Sequence, residues 1–334
     1  MNAIGFIANP SSGKDIRRLI AYGSSSDNSE KVNLIRRVLM GLVTAGIRKV
    51  YYMPDYFNIV GTAVEGMYHE HKELISNMEI SSLEMPMTGT EEDSVVAAKK
   101  LNELGVKCVI TLGGDGTCRA VAKEIGDIPM IPVSTGTNNV FPERLEGTVV
   151  GMAAGAYATG ALDHIEDLVT PSKRLDIYKN GRFYDIALID AVVVNEMHMA
   201  SKALWKTGTM SQIFLTTCNA QYLGISSIGG QLEDISKSEA KGLTITIDHE
   251  QKTFQAPIVP GLFVPIGIKD YETMNIDETV SISQVPSVIA VDGERNVEVF
   301  KGESAYIKLT WNGPKVVNIQ RVLEESRKQR IFYL

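Results

Sequence analysis

The chain is poor in cysteine and tryptophan, has no excess of basic charge and has no long apolar run. Among its 334 residues there are only three cysteines, Cys108, Cys118 and Cys218, and two tryptophans. The cysteine number is odd and no Cys-x-x-Cys occurs. Neither a disulfide framework nor a zinc site is therefore expected, and a reducing cytoplasm fits. The net charge is −7, which argues against nonspecific binding to nucleic acid or to an anionic membrane surface. Any phosphate site must then be built from a few local cations and backbone amides. No stretch approaches the roughly 18 apolar residues of a membrane-spanning helix. The N-terminus shows no basic segment followed by an apolar one, so no signal peptide is expected. What is present, 44% hydrophobic and 22% charged residues, is the composition of an ordinary soluble globular protein. Its length suffices for two domains with ample core.

The first 140 or so residues alternate strand and helix patterns. Buried-strand runs are read at 3–8, 49–53, 80–85, 107–112 and 129–133. Val32, Leu34, Ile35, Val38, Leu39, Leu42 and Val43 recur at helical spacing, and Ala45-Gly46 ends that helix. Further helices are read up to Ile75-Ser76, from a Thr90 cap to Leu104-Gly105, and over 148–159. Repeated βα units imply a parallel sheet with right-handed crossovers and ligands at the carboxyl ends of its strands. From about 173 to 318 the pattern changes to short strands separated by Gly, Asn, Asp and Pro, as an antiparallel β-sandwich requires. Asn180-Gly181 marks a tight hairpin. The last segment, 319–329, reads as a helix. The expected units are an α/β domain over 1–145, a mainly β domain over 146–318, and a C-terminal helix and tail, 319–334, that return to the α/β domain.

Gly113-Gly114-Asp115-Gly116-Thr117 carries the most chemistry. It follows a β-branched strand and opens a helix. Such a turn directs backbone N–H groups at an anion and sets a carboxylate beside it, as phosphoryl transfer from a nucleotide needs. An ordinary tight βα turn is the alternative. Asn9-Pro-Ser-Ser-Gly-Lys14, directly after the first strand, combines turn residues, hydroxyls and a cation. It is not a P-loop, and a surface turn is the alternative. Ser134-Thr-Gly-Thr-Asn-Asn139 follows the strand at 129–133 and places neutral donors and acceptors at the same sheet edge, or caps a helix. Val291-Asp-Gly-Glu-Arg295 is, by itself, a type I′ hairpin turn.

Together these segments resemble the superfamily of NAD kinases, diacylglycerol kinases and their relatives. The closer similarity is to the acetoin-catabolism protein X family, an ATP–NAD kinase-like branch. Its hallmarks include Gly113-Gly-Asp-Gly-Thr-Cys-Arg119, Ser134 to Pro142, Ala187-Leu-Ile-Asp190, Ala203-Leu-Trp205, Ile225 to Gly230, Ala256 to Gly261 and Asp292-Gly-Glu-Arg295. The resemblance spans nearly the whole chain. It implies a Rossmann-like α/β domain joined to an all-β sandwich, and a homo-oligomer assembled through the β domain.

It also implies an ATP- and magnesium-dependent kinase of a soluble hydroxyl, with NAD the leading acceptor. Asp115 matches the acid beside the acceptor hydroxyl, as base or metal-organising group. Because an unperturbed Asp is a weak base near pH 7, orienting the hydroxyl and organising magnesium is the expected contribution. Asn9, Ser12, Gly13, Lys14, Gly113, Gly114, Gly116, Thr117, Thr135, Gly136, Thr137, Asn138 and Asn139 are the nucleotide-phosphate candidates. Arg119 is either a phosphate clamp or an exposed helix arginine. Asp190, Asp292 and Glu294 are the acceptor-side candidates. Asp190 keeps the acid of the Asn-acid pair that binds the dinucleotide in NAD kinases, but Ile189 stands where the Asn does. A noncatalytic nucleotide-binding protein and a kinase of a lipid-type alcohol are the alternatives. His69 and His71 read as a solvated face rather than a metal site, and His198 as a loop histidine. Trp205 and Trp311 read as core or interface anchors, and 23–27 as a possible lid.

Overall fold

The computed structural model of the protein describes residues 2–12, 27–136, 138–195 and 207–333. Thirteen of its elements build the α/β part: β1 (Ala3–Ala8), α1 (Asn28–Thr44), β2 (Lys49–Tyr52), α2 (Ile59–Glu70), α3 (Lys72–Ile75), β3 (Glu79–Ser82), α4 (Glu92–Glu103), β4 (Cys108–Gly113), α5 (Asp115–Ala122), β5 (Met130–Ser134), α6 (Gly147–Ala158), β6 (Val169–Thr170) and, much later, β19. The sheet order is β3-β2-β1-β4-β5-β19-β6, parallel from β3 through β19 (Val316–Val317) and antiparallel at β6. β1 and β4 are buried along their whole length, because helices cover both faces. On one face α1, α2 and α6 pack with Ile4, Phe6, Ile110 and Ile131; on the other, α4 and α5 pack with Ile7 and Val109. α1 and α6 approach so closely that a Cβ on Gly41 or Gly151 would run into the backbone of the facing helix.

The second part contains β7 (Arg174–Lys179), β8 (Arg182–Ala187), β9 (Asp190–Val194), β10 (Met210–Leu215), α7 (Ser226–Gly230), β11 (Lys241–Ile247), β12 (Phe254–Val259), β13 (Leu262–Ile266), β14 (Ile268–Asn275), β15 (Thr279–Ser281), β16 (Ser287–Val291), β17 (Glu294–Val299) and β18 (Ala305–Thr310). A six-stranded sheet, β14-β11-β10-β9-β16-β17, faces a four-stranded sheet, β15-β18-β7-β8. Alternation along β9 shows the layering. Ala191 and Val193 enter the core between the sheets, while Val192 and Val194 pack on the other side with α7 and β12. By its pattern 183–194 reads as a strand, but it is broken at Leu188-Ile189, which leave the sandwich and pack with α4 and α5 of the α/β part. α8 (Ile319–Lys328) returns to the parallel sheet, burying Val322 against α6 and its neighbours. The fold thus pairs a parallel α/β sheet with an antiparallel β-rich part and a returning C-terminal helix, as expected. Among the described residues no helix is long and apolar enough to cross a membrane.

Candidate functional site

The loops at the carboxyl rim of the parallel sheet are tied to one another by side chains. Asn9 Nδ2, just beyond β1, donates to Thr117 Oγ1 of α5 at 2.9 Å. The Ser12 and Thr135 hydroxyls meet at 2.9 Å, and the Thr135 amide donates to the Gly113 carbonyl. Asn139 Nδ2 donates to Ser134 Oγ at 2.8 Å. The glycines fit this interlock. A Cβ on Gly113 would meet the Thr117 side chain at 2.5 Å, and one on Gly114 would meet Asn139 Oδ1 at 2.8 Å. Gly116 differs: a Cβ there meets nothing closer than Glu294 Oε1 at 3.8 Å, an ordinary contact. Asn9, Ser12, Gly113, Gly114, Thr117, Thr135, Gly136, Asn138 and Asn139 therefore share one neighbourhood. Gly13, Lys14, Thr137, His198, Trp205 and the segment 23–26 lie outside the described residues.

Asp115 is the first residue of α5, with Gly114 as the extended N-cap. Its Oδ1 accepts from the Phe141 amide at 2.8 Å and the Val140 amide at 3.1 Å; Val140 also reaches Oδ2 at 3.3 Å. The carboxylate thus holds the loop after β5 against the start of α5. Burial pushes its pKa up to about 7, and the charge of Asp292 adds to the rise; the Phe141 and Val140 amides and Lys237 only partly oppose it. The sequence-based picture of Asp115 as a weak base near pH 7 rested on an unperturbed carboxyl, and this environment removes that premise.

Arg119 is neither an exposed helix arginine nor turned to an open phosphate site. Its side chain is fully buried among four carboxylates. Nη2 donates to Glu91 Oε2 at 3.0 Å and Nη1 to Asp185 Oδ2 at 3.2 Å. Asp292 Oδ2 lies 3.7 Å from Nε, and Glu294 Oε2 4.0 Å from Nη2. Burial alone would lower the guanidinium pKa, but the surrounding acids raise it. Arg119 binds α5 to α4 on one side and to β8 and the β16–β17 hairpin on the other.

Asp292 and Gly293 make the predicted type I′ turn, with φ of 47° and 81°, between Val291 and Glu294. The Asp292 carboxylate does not face an open acceptor site. It turns inward and accepts from the Leu188, Ile189 and Asp190 amides at 2.8 to 3.3 Å. Burial raises its pKa, with Arg119 and these amides pulling the other way. It pins the very loop that interrupts the long strand. Asp190 is buried beside it, and only Glu294 of this group is substantially exposed.

An open space lies one step further along the rim. A cavity of about 560 Å³ is lined by Ser134, Gly136, Asn139 and Val140 on the α/β side and by Tyr222, Ser236, Lys237 and Ser238 on the β side, with Pro142, Glu143 and Arg144 between them. A cleft between the two parts is expected to have 113–119 and 134–139 on one wall and Asp190 and Asp292 on the other; Ser134, Gly136 and Asn139 do line the cavity, but no residue of 113–119 does. The β wall is formed by 222 and 236–238 instead of Asp190 and Asp292. Val140 connects cavity and acid, since it lines the one and donates to the other.

Sequence reasoning missed four cations here. Lys31 of α1 is buried and donates to the carbonyls of Asn9, Pro10 and Ser12, at 3.0, 3.2 and 2.7 Å. Lys237 donates to the Phe141 carbonyl at 3.1 Å and pairs with Glu143 at 3.3 Å. Arg144 reaches the Gly136 carbonyl through Nε and Nη2, both at 3.3 Å. Lys173 is buried, donates to the Ser236 and Lys241 carbonyls, and has its pKa lowered to about 8 by burial. His69 and His71 are exposed, and among the described residues no cluster of three His, Cys, Asp or Glu could hold a metal.

Comparisons with known proteins match two stretches of the chain. Residues 4–151 match the ATP-NAD kinase N-terminal domain, and residues 173–312 match the acetoin catabolism protein X C-terminal domain. A solved structure from Bacillus anthracis str. Sterne, described as a candidate diacylglycerol kinase, aligns over 95% of this chain and 97% of its own, at 12% identity and a TM-score of 0.47. The acetoin catabolism protein X of Cupriavidus necator is 36% identical over 336 residues, covering 98% of this chain and 93% of that protein. The chain belongs to the acetoin catabolism protein X family.

Proposed function

We propose that the protein is a kinase that moves the γ-phosphoryl group of ATP to a hydroxyl of a soluble nucleotide-like acceptor, with NAD the leading candidate. One observation carries this reading. A carboxyl with its pKa raised to about 7 stands at the N-terminus of α5, on the rim where the loops after β1, β4 and β5 interlock beside a cavity. A base is most effective when its pKa lies near the working pH. Asp115 takes the acceptor's proton as the hydroxyl oxygen bonds to the γ-phosphorus, the bond to the β-bridging oxygen breaks, and ADP leaves. Magnesium bound with ATP would neutralise phosphate charge. Phosphates would supply most of its ligands, and Asp115 is the acid on this rim that would help hold it. Arg119 is a positioning residue, fixing α5 to both parts of the fold.

Incubation with ATP, magnesium and NAD should yield NADP, and Asp115→Asn should lose most of that activity. Absence of turnover with ATP or polyphosphate, in wild type and variant alike, overturns the kinase reading. A second reading, a noncatalytic dinucleotide binder, draws on one observation: two backbone amides already occupy the Asp115 carboxylate. It predicts calorimetric binding of NAD with no product. The link to acetoin breakdown, an intracellular location and a homo-oligomer joined through the β part belong to the same proposal.

A further inference from the structure

We propose that the cavity between the loop after β5 and the 236–238 segment is an oxyanion site that selects a phosphate-bearing acceptor, with Lys237 and Arg144 as its specificity-determining cations. The inference rests on the kinase reading for the word acceptor, but not for the site. The chain as a whole is acidic, at −7, yet this cavity brings two cations and one acid together. A local excess of positive charge in an acidic chain is what a site for an anion requires.

Neither cation is used up by the fold. Lys237 has three N–H donors and spends two, on the Phe141 carbonyl and on Glu143. The Glu143 partner is two-thirds exposed and can swing away. Arg144 spends two of five N–H donors, both on the single carbonyl of Gly136, and is itself exposed. The hydroxyls of Ser134, Ser236, Ser238 and Tyr222 share the cavity. Cations for an oxyanion beside hydroxyls for a sugar describe a phosphorylated polyol.

The Lys237 position is also braced. Ser236 next to it is held by the Glu239 carboxylate at its amide and by Lys173 at its carbonyl. Ser236 and Ser238 meet through their hydroxyls at 3.1 Å. The segment is therefore preorganised to present Lys237, and the ligand does not have to order it.

The test uses AMP and adenosine, a pair that differs by one phosphate, in calorimetric titrations of the full chain without ATP or magnesium. AMP should bind about tenfold or more tighter than adenosine, the worth of one charge-assisted pair. The preference should fall to near parity in Lys237→Gln/Arg144→Gln, with Lys237→Arg retaining it. A cooperative melt of the double variant guards against simple unfolding. Equal affinities in wild type, binding of neither probe, or a preference untouched in the double variant overturns the proposal. Phosphate-selective binding that depends on these cations, with no NADP formed, leaves the site standing while the kinase reading fails.

Discussion

Arg119, one turn along the helix that Asp115 begins, donates to Asp185 of β8 at 3.2 Å and lies 3.7 Å from the Asp292 carboxylate. The helix that carries the proposed base is thereby bolted to the β part through a charge wholly removed from solvent. A buried guanidinium of this kind is valuable less for its attraction than for what its removal would expose. The same Asp292 raises the pKa of Asp115, so the bolt and the base are electrically coupled.

Replacing Arg119 with Met should therefore destabilise strongly. Asp292 would keep its buried position without the Arg119 counter-charge, and Asp185 would be left with Lys123 alone, at 2.9 Å. A loss of about 3 to 5 kcal/mol in urea unfolding is expected, as for breaking one side of a buried ion pair. A change under about 1 kcal/mol would mean that the acids relax into solvent or take up protons at little cost.

Asp115 gives a pH signature independent of any assay. Its ordinary pKa of 3.8 rises to about 7 in the folded protein. Between those values the folded state binds more protons than the unfolded state, so this group subtracts stability as pH rises through the window. The cost is complete above about pH 7 and absent below about pH 4. Asp115→Asn keeps one oxygen for the Phe141 amide and cannot titrate. The melting temperature of the variant relative to wild type should climb from pH 4 to pH 8. A flat difference would show that the carboxyl titrates normally.

Much of this arrangement was legible in the residues, for identifiable reasons. The Gly113–Thr117 loop stands out because a β-branched strand and a helix bracket it, and local signals suffice. Asn180-Gly181 and Asp292-Gly293 are readable because φ is positive at all four residues, as a type I′ turn demands. The break at Leu188-Ile189 was not readable. Those two residues are apolar and continue a strand pattern, and what stops them is a carboxylate 104 and 103 positions away. Nothing in the local sequence marks Lys31, and only the turn at 9–12 folding over it makes it internal. Lys237 meets the Phe141 carbonyl 96 residues upstream. Arg119 failed in both of its sequence readings for the same reason, since the nearest of its four acids along the chain, Glu91, is 28 positions away.

Lys31→Met should separate the role of the 9–12 turn from that of the α5 loop. Three carbonyls would lose the ammonium they share. Loss of hydrogen bonds to a charged donor inside the protein should cost about 2 to 3 kcal/mol. Because Asn9 and Ser12 of that turn reach Thr117 and Thr135, the KM for ATP should rise more than kcat falls. An equal fall in kcat and kcat/KM would place the turn's effect in the transition state alone.

Lys173 should act at the alkaline end, with the sign opposite to that of Asp115. Burial lowers its pKa from 10.5 to about 8, and its donors meet two carbonyls, Ser236 and Lys241, rather than an acid. Between about pH 8 and 10.5 the unfolded chain holds a proton that the folded protein has released. Stability contributed by this group therefore rises with pH across that interval. Denaturant titrations should show wild type gaining on Lys173→Met from pH 8 to pH 10. Since Lys173 braces the segment that presents Lys237, the same variant should also weaken AMP binding at pH 7 while leaving the bare adenosine affinity nearly unchanged. A loss of both affinities in equal measure would instead mean that the whole β wall of the cavity has moved.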